Sequence, residues 1–135
     1  MQAIADENLK LGQEFLEKNK SAEGVVTLDS GIQYKVISKG SGQSPAVTDT
    51  VSVNYRGTLI NGTEFDSSFK HGQPATFGLS QVIKGWQEII PMMKEGGKWQ
   101  VFIPSDLAYG PRAVGSTITP NSTLIFEIEL LSIQK

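Results

Sequence analysis

The residues that could act as nucleophile, base or metal ligand are few in this sequence. His71 is the single histidine and cysteine is absent, which excludes thiolate catalysis and cysteine-based zinc sites. A Ser-His-Asp triad built on His71 would lack the G-x-S-x-G turn that presents the serine in one large class of hydrolases. The stretch SSFK (67–70) matches the S-x-x-K motif of penicillin-recognising enzymes, but no K-T-G triplet accompanies it. One histidine with scattered carboxylates forms no metal cluster, so we expect no metal and no other cofactor.

A set of aromatic residues near turns and short elements remains to be explained. The stretch NGTEFDSS (61–68) begins with Asn61-Gly62, a pair that favours a type I′ hairpin turn, and then runs directly into Phe65 and Asp66. The serines that follow are expected to stabilise the chain reversal through local side-chain hydrogen bonds. The other members of the set are Tyr55, Phe77, Trp86, Tyr109 and Phe126. Such rings fill a core or line an apolar site, and the residues by themselves leave both interpretations open.

Length and charge narrow the class of protein. At 135 residues the chain has the size of one domain with a short appendage. Its 12 Lys and Arg residues against 14 Asp and Glu give a formal net charge of −2, and the absence of a basic run argues against nucleic-acid binding. No apolar run approaches the roughly 20 residues that cross a bilayer, and we recognise no signal peptide in the first residues.

Residues 2–19 are predicted to form an amphipathic helix. Its apolar residues fall on two adjacent lines, Ile4, Leu11 and Phe15 on one and Ala5, Leu9 and Leu16 on the other. Gly12 weakens the helix by roughly 1 kcal/mol relative to alanine, and an isolated helix of this length is marginal in water. It therefore needs a partner surface: either it folds back on its own domain, or it is the end of a longer helix. Residues 20–24 read as a connector.

From Val25 onward the apolar residues alternate with a period of two, which predicts strands with one buried face. The clearest runs are 31–38, 50–59, 97–104 and 122–133. The residues expected to face the core are Val51, Val53 and Tyr55 in the second run and Leu124, Phe126, Ile128 and Leu130 in the last. The polar residues that alternate with them should face solvent.

Residues 80–93 instead carry apolar residues at helical spacing. Ser80 is an acceptable N-cap, and Pro91 disfavours the α conformation at Ile90, so this helix should be short. Antiparallel strands with one brief apolar helix predict an α+β fold. In that fold a curved antiparallel β-sheet wraps around the short α-helix and follows an N-terminal helix.

Four longer motifs occur in a specific order and spacing: VNYRGTLINGTEFDSS (53–68), QVIKGWQEIIPMM (81–93), IPSDLAYG (103–110) and ITPNSTLIFEIELL (118–131). Together they resemble the FKBP-type peptidyl-prolyl cis-trans isomerases, and the resemblance covers about residues 31–133. The stretch GVVTLDSGIQYKVISKGSG (24–42), with a helix before it, is similar to the bacterial macrophage infectivity potentiator (Mip) branch of that family.

The resemblance implies a division of the chain. Residues 31–135 would be the isomerase domain, residues 21–30 a connector with the first strand, and residues 1–20 the tail of a linker helix from a missing dimerisation module. A full-length form would be a homodimer, and we expect this chain to be monomeric or weakly associated through residues 1–20. The location implied is the bacterial periplasm or the outer membrane surface.

The resemblance also implies an activity: non-covalent acceleration of rotation about X-Pro peptide bonds during protein folding, in an aromatic pocket. The implied partners are proline-containing peptides, unfolded proteins and the macrolides rapamycin and tacrolimus, which would inhibit. A peptide-binding chaperone module with incidental turnover is the alternative. The sequence favours the enzyme, because the positions of the family's pocket are filled with the family's residue types.

Residue by residue, the family's site divides into two groups. Those expected to act in catalysis are Asp66, Tyr109, Phe65 and Tyr55. Those expected to bind substrate are Trp86, Val82, Ile83, Phe77, Ile118 and Phe126. Trp86 would form the floor under the prolyl ring, and the Ile83 N–H and the Tyr109 hydroxyl would hydrogen-bond carbonyl groups.

Asp66 would lie at the polar edge of the same pocket. Two positions depart from the family pattern. Ala75 stands where many members carry an aromatic residue, and His71 stands near the usual basic partner of Asp66. These departures bear on macrolide affinity and on the preference for the residue before proline.

Overall fold

The computed structural model describes residues 2–60, 62–68, 72, 74–108 and 122–134, with side chains from residue 7 onward except those of residues 66 and 134. The α-helices in this part of the chain are α1 (Gln2–Asn19) and α2 (Lys84–Ile89). The strands are β1 (Val25–Thr27), β2 (Gln33–Ser38), β3 (Thr50–Leu59), β4 (Glu64–Ser67), β5 (Ala75–Gly78), β6 (Lys98–Ile103) and β7 (Leu124–Gln134). Short 3-10 helices cover Leu79–Gln81, Ile90–Met92 and Ser105–Leu107. Neither α1 nor α2 is long and apolar enough to cross a membrane.

The described strands form one antiparallel sheet in the order β1-β2-β6-β7-β3-β4. Strand β3 pairs with β7 over its whole length, from Thr50 opposite Gln134 to Leu59 opposite Leu124. Strands β5 and β4 pair with the first and second halves of β3, respectively. Because β3 pairs with three other strands, it links the elements that carry four of the six aromatic residues singled out above: Tyr55, Phe65, Phe77 and Phe126.

The alternation read from the sequence sets the two faces of this sheet. Val51, Val53 and Tyr55 of β3 are buried and Arg56 is exposed, as predicted. The predicted core residues of β7 are also buried: Leu124, Phe126, Ile128 and Leu130. The side that bears these residues is the inner face, and α2 packs against it. The predicted α+β fold, with a curved antiparallel sheet around a short helix, is confirmed.

The helix predicted at 80–93 is broken into three pieces. Leu79–Gln81 and Ile90–Met92 are 3-10 turns, and Val82 between the first turn and α2 is extended, with φ −93° and ψ 174°. The predicted N-cap at Ser80 is therefore wrong, because α2 begins after Ile83. Helix α2 is short, as expected, and ends at Ile89. The expected reason is wrong, because Ile90, directly before Pro91, has the α conformation with φ −61° and ψ −37°, and the chain continues as a 3-10 turn. Helical spacing in the sequence does not distinguish these pieces, because 3-10 and α turns place apolar residues on the same side.

The turn between β3 and β4 differs from the predicted type I′ turn. Gly62 has a φ of +91°, as a glycine in such a turn should. However, its N–H donates to Leu59 O at 2.9 Å, and the Leu59 N–H donates to Thr63 O at 2.9 Å. A two-residue turn centred on Asn61 and Gly62 would instead pair residue 60 with residue 63. The connection is thus longer by one residue, with glycine at its left-handed position, and Asn61 itself lies outside the described residues.

Helix α1 packs on the outer face of the sheet, opposite α2. The Phe15 ring lies 5.8 Å from the Phe102 ring of β6. Gln33 of β2, which is 2% exposed, donates from Nε2 to Leu16 O at 2.7 Å and accepts from Asn19 Nδ2 at 2.8 Å. A Cβ at Gly12 would lie 2.1 Å from Thr123 Oγ1, so the residue that weakens the helix is the one that allows this close approach.

The second half of α1 therefore folds back on the domain, which was one of the two alternatives. Leu9 and Leu11, in the first half, remain 41% and 42% exposed. The apolar stripe is only partly covered by the sheet. The proposal that α1 is the end of a longer helix is neither required nor opposed by these contacts.

Two aromatic contacts mark the ends of the inner face. At the β2–β6 end, Tyr34 stacks on Trp99 with ring centroids 4.3 Å apart and an interplanar angle of 11°. At the β3–β7 end, the Phe65 and Phe126 rings meet edge to face at 5.6 Å. These two rings cover Gly57 of β3, where a Cβ would lie 2.5 Å from Phe65 Cζ and 2.9 Å from Phe126 Cε1. Any larger residue at Gly57 must displace a ring.

Replacing Gln33 with leucine should loosen α1 from the sheet. The Asn19 amide would lose this partner and the Leu16 carbonyl would keep only the Lys20 N–H, at 3.0 Å, so we expect the free energy of unfolding in urea to fall by about 1–3 kcal/mol. Hydrogen exchange in the second half of α1 should accelerate. Gln13→Leu, on the exposed side of the same helix, is the control and should change neither quantity. Unchanged stability and exchange in Gln33→Leu would show that these hydrogen bonds do not hold the helix.

Replacing Gly57 with alanine should destabilise the inner face. The added Cβ forces the Phe65 and Phe126 rings apart, and overpacking of this kind costs about 1–3 kcal/mol, measured by urea unfolding. Gly78→Ala is the matched control, because Gly78 has a φ of −77° and an added Cβ would meet only the Gln81 side chain, at 3.4 Å. That variant should be neutral or slightly more stable. Equal stability of the two variants would contradict the close packing over Gly57.

Candidate functional site

A cavity of about 320 Å³ opens on the inner face of the sheet. Its size lies at the lower end of the range for small-molecule sites. It is lined by Tyr55, Phe65, Phe77, Gln81, Val82, Ile83, Trp86 and Phe126. Every element that touches β3, together with the segment that leads into α2, contributes to this lining.

Trp86, in the first turn of α2, is the centre of the aromatic cluster. It is 4% exposed, and three rings meet it edge to face: Phe126 at 5.2 Å, Tyr55 at 5.3 Å and Phe77 at 5.4 Å. This arrangement suits the quadrupoles of the rings, because the positive edge of one meets the negative face of another. The cluster fixes the indole where a small helix enters a curved sheet.

The indole nitrogen of Trp86 is buried without a hydrogen-bond partner among the described residues. Leaving a buried donor unpaired costs about 1–3 kcal/mol. Native proteins contain few such groups, and each calls for an explanation. Here the indole is one of the aromatic rings that line the cavity.

The segment before α2 contains a backbone N–H without a partner among the described residues, at a residue that lines the cavity. Ile83 is the residue before the first turn of α2, and its carbonyl accepts from Trp86 N at 3.0 Å and from Gln87 N at 3.2 Å. Its own N–H has no partner in the part of the chain that the structure describes. This agrees with its place at the start of α2, because the first N–H groups of a helix have no intrahelical acceptor.

Ser68 holds β3 at Tyr55. The hydroxyl is fully buried and accepts from the Tyr55 N–H at 2.9 Å, with Asn54 Oδ1 at 3.3 Å and Tyr55 O at 3.4 Å within reach of its proton. The expectation of local hydrogen bonds by the serines is wrong for Ser68, because its partners lie thirteen and fourteen positions away in the chain. The serine joins the end of β4 to the strand that carries a cavity residue.

The structure brings seven of the predicted site residues to one cavity and describes no side chain for the other three. The seven are Tyr55, Phe65, Phe77, Val82, Ile83, Trp86 and Phe126. The backbone of Asp66 pairs with Gly57 in the β3–β4 ladder, whereas Tyr109 and Ile118 lie outside the described residues, as does His71.

Sequence reasoning missed two residues that shape the cavity. Gly57 interrupts an otherwise alternating strand, and such a glycine often marks a close approach of another group, so a signal was present. Gln81 lines the cavity but follows no pattern that sets it apart from other surface glutamines. Its position depends on the 3-10 turn at Leu79–Gln81, which the sequence did not predict.

The described part of the cavity carries no formal charge. All of its lining side chains are neutral, and no cluster of three or more potential metal ligands occurs among the described residues. A shifted pKa is found on the other side of the sheet, where a hydrogen bond and the charge of Glu127, 2.7 Å away, raise the pKa of Lys98. Because the pKa of Lys98 is raised in the folded state, its ion pair stabilises the fold below pH 10.5, and this stabilisation is lost as the pH rises above that value. An exposed pair of this kind contributes at most about 1 kcal/mol.

Comparison with known proteins places these features in a family. Residues 41–131 match the sequence profile described as FKBP-type peptidyl-prolyl cis-trans isomerase. Residues 1–36 match the profile of the domain amino terminal to that isomerase.

Individual relatives extend the match along the chain. The outer membrane protein MIP of Legionella longbeachae is 56% identical over 131 residues, covering 97% of this chain and 56% of that protein. The peptidyl-prolyl cis-trans isomerase Mip of Coxiella burnetii is 52% identical over 128 residues, covering 95% of this chain and 56% of that protein. The chain thus spans little more than half the length of these relatives.

The fold agrees with a solved structure of the same group. The crystal structure of FkpA from Escherichia coli superimposes with a TM-score of 0.94 at 45% sequence identity, covering 98% of this chain and 62% of that one. From its sequence motifs, its profile matches and its fold, the chain belongs to the FKBP-type peptidyl-prolyl cis-trans isomerase family.

Proposed function

We propose that this chain is a peptidyl-prolyl cis-trans isomerase that accelerates rotation about X-Pro bonds in protein folding. The observation that carries the proposal is the neutral, aromatic cavity with Trp86 at its centre, inside the region that matches the family. The substrates proposed are proline-containing peptides and unfolded proteins. Rapamycin and tacrolimus are proposed to occupy the same cavity and to inhibit.

The chemistry needs neither a nucleophile nor a cofactor. An X-Pro amide resists rotation because resonance gives the C–N bond partial double-bond character, and uncatalysed isomerisation takes tens to hundreds of seconds. Twisting the bond removes that resonance and lowers the charge separation in the amide. An apolar cavity therefore penalises the planar ground state more than the twisted transition state, and only such differential binding accelerates the reaction.

The residues around the cavity are proposed to divide this work. Trp86 supports the prolyl ring, and the surrounding aromatic rings exclude water from the amide. The Ile83 N–H and the Tyr109 hydroxyl are both proposed to donate to a substrate carbonyl. Every preference of about 1.4 kcal/mol for the twisted amide over the planar one raises the rate tenfold. Asp66 is proposed to act at the polar edge, with Phe65 and Tyr55 beside it.

The setting of the domain is also proposed from the family. Residues 31–135 would form the isomerase domain, residues 21–30 the connector with the first strand, and residues 1–20 the tail of a linker helix. A longer form would be a homodimer, while this chain would be monomeric or weakly associated. A relative named as an outer membrane protein supports a periplasmic or outer-membrane-surface location in a bacterium.

The first test is a protease-coupled isomerisation assay on Ala-Leu-Pro-Phe and Ala-Glu-Pro-Phe peptides. We expect strong acceleration by the wild type and its loss when rapamycin is added, because drug and prolyl ring would compete for one cavity. A wild type that is inactive yet binds rapamycin would favour a peptide-binding chaperone module over an enzyme.

The second test separates the roles of the site residues. Asp66→Ala and Tyr109→Phe should lower kcat, because these groups are proposed to act on the twisted amide, whereas Trp86→Leu should mainly raise KM by removing the floor of the cavity. Asp29→Ala, at an exposed carboxylate in the turn before β2, is the control for loss of a charge. If Asp66→Ala behaved like Asp29→Ala, the proposed role of Asp66 would be wrong.

A further inference from the structure

Gln87 of α2 holds the chain segment that presents the Ile83 N–H. Its side-chain Nε2 donates to Val82 O at 2.7 Å and lies 3.4 Å from Ser80 O. Its backbone N–H donates to Ile83 O at 3.2 Å. Gln87 thus donates to two successive carbonyls, to that of Val82 through its side chain and to that of Ile83 through its main chain.

The first of these contacts acts on the peptide group that contains the Ile83 N–H. Val82 C=O and Ile83 N–H belong to the same planar unit, and in a trans peptide they point in opposite directions. Holding the Val82 oxygen toward α2 therefore directs the Ile83 N–H away from it. Because Val82 and Ile83 both line the cavity, the orientation of this one plane decides where the donor points.

The segment has little else to fix that orientation. Val82 and Ile83 are both extended, with ψ values of 174° and 153°, between a 3-10 turn of three residues and an α-helix of six. Neither helix includes the 82–83 peptide in its hydrogen-bond pattern. A donor on the carbonyl also polarises the amide and strengthens its N–H as a donor.

We propose that Gln87 is a positioning residue for the isomerase reaction, because its side-chain amide orients the 82–83 peptide so that the Ile83 N–H can bind a carbonyl in the aromatic cavity. The inference rests on the proposed function, which supplies the substrate. It assigns to Gln87 no contact with the substrate.

The test compares Gln87→Glu, Gln87→Met and Glu88→Gln with the wild type. Glutamate has the shape of glutamine but, when ionised, cannot donate to Val82 O, whereas methionine cannot donate at any pH. Glu88 is the next residue of the same helix, is exposed, and hydrogen-bonds to Ser30. Rates are measured by NMR exchange on Ala-Leu-Pro-Phe, which needs no protease, at pH 7 and at about pH 4, near the ordinary glutamate pKa.

We expect kcat/KM at pH 7 to fall about tenfold in Gln87→Glu and Gln87→Met, through kcat more than KM, with Glu88→Gln unchanged. Relative to the wild type at each pH, the glutamate variant should recover at pH 4, because a protonated carboxyl again donates to Val82 O, and the methionine variant should not. A loss of packing would affect both variants equally at both pH values.

Two results would overturn the proposal: wild-type kcat/KM in Gln87→Met, or a glutamate variant whose loss is the same at both pH values. The amide chemical shift and hydrogen exchange of Ile83 are recorded in the same samples. An inactive wild type would count against the proposed function alone, and an Ile83 amide unchanged in Gln87→Met would then still refute the positioning.

Discussion

The packing of Trp86 against the inner face of the sheet is the contact on which the rest of the site depends. Helix α2 has only six residues, too few to be stable from its own hydrogen bonds. It persists because Trp86, Ile89 and the adjoining Ile90 are buried against the strands. The same burial places the indole in the lining of the cavity, so the interaction that stabilises the helix also helps to form the cavity.

Strand β3 transmits this constraint to the other walls. Its inner face carries Tyr55 and Gly57, and its edges pair with β7, β4 and β5, which bring Phe126, Phe65 and Phe77. Ser68 fixes the strand at Tyr55 through buried hydrogen bonds, and the missing side chain of Gly57 makes room for two rings. The strand-borne walls of the cavity are therefore assembled by backbone pairing with a central strand.

Much of the fold could be predicted from the sequence, because the spacing of apolar residues indicates which face of a strand or helix is buried. The alternation in β3 and β7 correctly gave the buried face of each strand, and the helical spacing around Trp86 correctly gave an apolar helix. Strands β4 and β5 were not predicted, because each has only four residues and an alternation that short is not recognisable in the sequence. The turn at Gly62 and the start of α2 were misassigned, because local preference does not fix how many residues a connection uses.

The site was predicted in part, from the family resemblance and not from the periodicity of apolar residues. Six of its seven predicted residues lie in the four motifs that carry the family resemblance, and the seventh, Phe77, lies between the first two motifs. The contribution of Gly57 arises from rings distant in the chain, that of Gln81 from a 3-10 turn, and that of Gln87 from a side-chain hydrogen bond. Residue type and spacing encode such contacts only weakly, because the same glutamine on a solvent-facing turn would look identical in the sequence.

The two tryptophans have contrasting surroundings, and this difference has an optical consequence. Trp86 makes edge-to-face contacts with three aromatic rings at the cavity, whereas Trp99 is stacked on Tyr34 at the other end of the sheet. A molecule entering the cavity would change the dielectric around one indole and leave the other untouched. The fluorescence of the chain thus contains both a reporter at the site and an internal reference, without any added label.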